Sequence, residues 1–99
     1  ADRTDLSITE AVSTMNRSMS EDSLPVQLRT FRVILLQHRK EGGMDLYDRI
    51  VKPFVIHLRE AGYPRDAHRM AVYAREEFGA PKGTMLAVEL ASLVARTTP

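Results

Sequence analysis

Ninety-nine residues are one domain's worth of chain, enough for a single core and too few for two. Fourteen Lys and Arg against thirteen Asp and Glu leave a formal charge of +1, so there is no strong electrostatic case for nucleic acid or an anionic membrane. Cysteine and tryptophan are absent, which excludes disulfides, cysteine–zinc sites and a thiol nucleophile and weakens any base-stacking platform.

With 43% hydrophobic and 27% charged residues, the composition is that of a soluble globular domain. No stretch approaches the ~18 consecutive apolar residues of a membrane span. The polar start Ala-Asp-Arg-Thr has no apolar signal region and no initiator Met, which reads as a processed protein or a piece of a larger chain. The missing cysteines leave the compartment open between cytoplasm and periplasm, with the cytoplasm slightly favoured.

Five segments read as helices. In the first, about Ile8 to Met19, Ile8, Val12, Met15 and Met19 form one stripe on a helical period, and Ser7 with Glu10 has the pattern of a capping box. The polar run 18–23 reads as a linker, so residues 1–22 form an N-terminal helix plus linker and 23–96 the helical core of a single domain. Ser23 suits the N-cap of the second helix, Pro25 to Lys40. There Leu28, Phe31 and Leu35 mark one face, and Val33, Ile34 and Leu36 widen it enough to predict neighbours on two sides. His38-Arg39-Lys40 places positive charge where the helix dipole favours it, and Gly42-Gly43 ends the helix.

The third segment begins with Asp45 as N-cap, and Leu46, Ile50, Phe54, Leu58 and Ala61 make its stripe. Pro53 inside it predicts a kink or break. Gly62-Tyr63-Pro64 is a tight connection to the fourth helix, which carries Ala67, Met70, Ala71, Ala74 and Phe78 and stops at Gly79. The fifth carries Met85, Leu86, Leu90, Leu93 and Val94, with a frayed tail from Arg96. No alternating run bounded by hairpin turns competes, so the expected fold is an all-α bundle of about five helices, the third kinked or broken at Pro53.

Within Leu58 to Ala74, Gly62 at the turn, Ala67 just inside the next helix and Ala74 seven residues on have a spacing of small residues that resembles a tetratricopeptide hairpin. Pro81 lies a little beyond that family's usual proline. Val51 stands where the family has Trp, Ala71 where it has an aromatic, and there is a single copy. The resemblance implies two closely packed antiparallel helices over about a third of the chain.

Chemistry-bearing groups are sparse. His57 and His68 flank the Gly62 turn, but no carboxylate completes a zinc set. No serine lies in a nucleophile elbow, Glu76-Glu77 point in different directions on a helix, and Gly42-Gly43 lacks the residues of a phosphate loop. No cofactor, metal or catalytic residue is expected. Residues 73–88 have helix-turn-helix length, yet Arg75 stands where a small residue is wanted and the following helix offers few donors to DNA.

Apolar surface is what is left. The last helix is polar only at Glu89, Ser92 and Arg96, and the methionines of the first helix suit an adaptable contact. These features predict a non-catalytic protein-interaction or scaffolding module with a protein partner, a homo-oligomer being compatible. The predicted groove is formed by Ile8, Val12, Met15 and Met19 with Met85 and Val88. Two alternatives are an accessory helical domain contributing to an enzyme's ligand cleft and a small DNA-binding regulator.

Overall fold

The computed structural model describes the backbone of residues 3–41 and 43–99, with side chains from residue 8 onward. Helix α1 spans Arg3–Glu21, α2 Leu24–His38, α4 Pro64–Phe78 and α5 Met85–Thr97. Residues 43–60 form α3, a joined helix of Gly43–Leu46, a π-helical turn Tyr47–Val51, and Lys52–Glu60. There are no strands among the described residues, and the all-α expectation holds.

Pro53 bends α3 without breaking it. Proline lacks an N–H and its ring meets the carbonyl four residues back, that of Arg49. The wide π turn ends just before Pro53, and the backbone at Leu46, Val51 and Lys52 stays in the right-handed helical region. The extra residue in the turn makes room for the ring while the helix continues.

Helix ends depart from expectation at several points. Helix α1 starts before Ser7, so the proposed capping box falls inside the helix; the Ser7 side chain lies outside the described residues. The helix also runs to Glu21, through most of the polar run read as a linker, and within it the Ser20 hydroxyl donates to Asn16 O at 3.1 Å. The linker shrinks to Asp22-Ser23. Ser23 is the N-cap of α2 by backbone but makes no side-chain capping bond. Helix α3 begins at Gly43, in the left-handed region at φ +51°, two residues before Asp45. Gly42 lies outside the described residues. The α5 tail is helical to Thr97, whose hydroxyl donates to the Leu93 and Val94 carbonyls.

Helix α4 packs most extensively, against α3 on one side and α5 on the other. Tyr47 Oη donates to Glu89 O at 3.2 Å, and Arg59 reaches Arg96 O at the other end, so α3 and α5 run the same way with α4 antiparallel between them. Ala67, Ala71 and Ala74 are fully buried, which lets α4 approach both neighbours closely. Helices α1 and α2 form a second pair, with α1 also meeting the π turn and α2 meeting α4. The result is a flat slab of 38 × 34 × 16 Å.

The core gathers residues from every helix. Phe31 of α2 stacks on Phe54 of α3 with ring centroids 4.8 Å apart, and Leu35, Leu46, Ile50, Leu58, Met70, Leu90 and Leu93 surround that pair in one cluster. Of the stripe predicted for α3, Leu46, Ile50, Phe54 and Leu58 are buried, whereas Ala61 is exposed because it caps the helix end. A second buried row, Tyr47, Val51 and Val55, broadens the face.

The N-terminal helix belongs to this core. Ile8, Ala11 and Met15 are buried, and Val12 and Met19 pack half-buried against the cluster. The stripe assigned above to one wall of a partner groove therefore points inward. The cause is the two-residue α1–α2 connection, which holds the thin apolar face of α1 against α2 and the π turn.

Candidate functional site

His57 and His68, which flank the Gly62 turn, are held apart by different partners. Gln27, buried in α2, donates through Nε2 to Asp22 O at 2.9 Å. Its Oε1 lies 3.1 Å from His57 Nε2, so with this amide orientation the imidazole is the donor. His68 Nδ1 lies 3.2 Å from Thr97 Oγ1. Because that hydroxyl donates along its own helix, it accepts from the ring. His57 thus ties α3 to α2, while His68 ties α4 to α5. Among the described residues no group of three or more His, Cys, Asp or Glu could hold a metal ion.

Tyr47 and Tyr73 are the perturbed groups. Burial pushes the Tyr47 phenol above its ordinary value, and Glu89 adds to the effect. Tyr73, on α4, is raised by burial and then by the nearby Glu77 carboxylate. Glu77 is itself ion-paired with Arg39, joining the end of α2 to the end of α4. These environments stabilise the neutral phenols. A raised native-state value means that stability is fully present below the unfolded-state value and declines as pH rises past about 10. Tyr47→Phe should cost about 0.5–1.5 kcal/mol at neutral pH through loss of its hydrogen bond, and should flatten the alkaline decline. Denaturant titrations at neutral pH and above pH ~10 check both effects.

Two stretches of surface stand out instead. The first is the outer side of α5. Met85 is 69% exposed and Val88 58% exposed, and Ala91, Ser92 and Ala95 extend the same solvent-facing side. Leu90 and Leu93 point the other way into the core. Helix α5 is anchored by Thr84, which accepts from the Ala87 amide at 3.3 Å, so this side is presented on a capped element. Of the six residues expected to line a groove, the structure leaves Met85 and Val88 in solvent and turns the four of α1 toward the core.

The second stretch lies between α1 and α2, a groove of about 380 Å³. Ala11 and Ile34 form apolar lining, with Thr14 on one bank and Arg29, Val33 and Gln37 on the other. Val33 and Leu36 of α2, expected to be covered, are 45% and 51% exposed, because α1 and α4 leave the outer side of α2 open. His38 also lines the groove although only 8% of it is exposed, and its Nδ1 is sealed without a hydrogen-bond partner among the described residues. An unpaired buried polar atom costs about 1–3 kcal/mol. The sequence places His38 where the dipole of α2 favours positive charge; the structure also buries it beside the α1–α2 groove.

No protein-family model matches the chain, and neither does any curated protein or solved structure. In the described residues no helix is long and apolar enough to cross a membrane.

Proposed function

We propose that this chain is a non-catalytic protein–protein interaction or scaffolding module that docks an apolar helical segment of a partner along the outer side of α5. The observation that carries this reading is the exposure of Met85 and Val88 on a capped helix whose opposite side is fully used by the core. Leaving two large apolar side chains in water on one helix forgoes burial that a partner helix would restore, and such stripes are a common mode of helix recognition. The small residues Ala91, Ser92 and Ala95 beside them would let that helix approach closely. The likeness of residues 58–74 to a tetratricopeptide hairpin supports the same class of function.

The test is the double variant Met85→Glu, Val88→Glu. Both positions are exposed, so stability should change by no more than about 1 kcal/mol. Association with the partner, or with a second copy if sedimentation shows self-association, should weaken by at least about tenfold. Unchanged association in a folded variant would remove α5 from the interface.

A further inference from the structure

We infer that the α1–α2 groove and the outer side of α2 form a second docking surface, for an acidic peptide segment carrying one apolar anchor residue. Charge is the first reason. Residues 24–40 hold four Arg and Lys and no Asp or Glu, in a chain whose net charge is only +1. Arg39 is paired with Glu77, but Arg29, Arg32 and Lys40 have no carboxylate at ion-pair distance among the described residues. Arg29 and Lys40 are exposed on the same side of α2 as Val33 and Leu36. Cations interleaved with exposed apolar side chains complement a segment that alternates carboxylates with an apolar residue.

The groove is the second reason. Its volume, about 380 Å³, is enough to take a side chain, and its lining joins apolar Ala11, Val33 and Ile34 to polar Thr14 and Gln37. His38, more than nine-tenths buried, closes one part of that lining. Glu10 on the α1 bank gives the surface a direction: it repels carboxylates from α1, so an acidic segment is aligned along the α2 bank. This surface is carried on a different helix from the α5 face and stands or falls separately.

The experiment uses the whole 99-residue chain, isotope-labelled, titrated with a library of short capped peptides. One set carries a single Leu, Ile or Phe among Glu and Asp, a second lacks the apolar residue, and a third replaces the acids by Lys. Anionic phosphatidylserine vesicles form a separate arm. Members of the first set should bind at least about tenfold tighter than the second and third, and more weakly at high salt. They should move the amide signals of Thr14, Val33 and Gln37. The double variant Arg29→Glu, Lys40→Glu, checked for an unchanged melting temperature, should lose about tenfold in affinity. Met85→Glu should leave it unchanged. Absence of binding by every acidic anchored peptide, equal binding by the Lys set, signal changes confined to other helices, or binding to vesicles alone would each overturn the proposal.

Discussion

Phe54→Ala should be the most damaging single substitution in this chain, lowering stability by about 3–5 kcal/mol. The ring is fully buried, stacks on Phe31 at 4.8 Å, and lies beside His57 with centroids 6.2 Å apart. Its removal leaves a cavity where α2 meets α3, directly after the residue that imposes the π turn. Collapse there is resisted by Pro53 on one side and by the Gln27–His57 hydrogen bond on the other. At about 4–8 °C per kcal/mol for a domain of this size, the melting temperature should fall by at least about 12 °C. Phe54→Leu, which restores part of the volume, should lose clearly less. Equal losses from the two variants, or a loss below about 1 kcal/mol from Phe54→Ala, would show that the aromatic pair is not the centre of the core.

The second large effect is expected at Met15. A Met15→Ala variant should lose about 2–5 kcal/mol, because Met15 is buried in the common cluster and α1 is held against α2 by a two-residue connection. Were the α1 stripe a free docking face, the same change would alter stability by roughly 0.5 kcal/mol at most. Urea unfolding separates these outcomes directly, and amide exchange adds a second readout: slow exchange across Val12 to Met19 in the isolated chain accompanies a structural α1.

Helix existence was legible in the sequence because it is written locally. The buried stripes Leu46–Ile50–Phe54–Leu58 and Ala67–Met70–Ala71–Ala74 repeat at helical spacing, and Pro64 and Gly79 mark ends by backbone chemistry that needs no tertiary context. The effect of Pro53 was legible as a perturbation, but the π turn that absorbs it depends on the whole α3 face staying packed. Which apolar residues stay outside was not legible. Val33 and Leu36 are as apolar as Ile34 and Leu35 beside them, and the difference is set by where α1 and α4 stop covering α2.

The same limit applies to the candidate surfaces. Met85 and Val88 were readable because α5 has more apolar positions than one core contact uses. The α1 methionines were misplaced because an apolar stripe behind a polar linker looks alike whether it docks on its own bundle or on a partner; the shortness of the Asp22-Ser23 connection decides for the bundle. Gln27, His38 and Thr97 drew no assignment as buried groups, since their surroundings are set by the packing of other helices: Gln27 meets His57 thirty positions away, and Thr97 meets His68 twenty-nine positions away.

The central claim is that α5 carries a partner on its outer side. Site-specific photo-cross-linking from Val88 in the intact protein tests it most directly, with a cross-linker at exposed Asp48 of α3 as the comparison. The account predicts a discrete adduct from position 88, none of comparable yield from position 48, and loss of the adduct when Met85→Glu is added. Equal or absent adducts at the two positions, or an adduct at 88 that survives Met85→Glu, would contradict it.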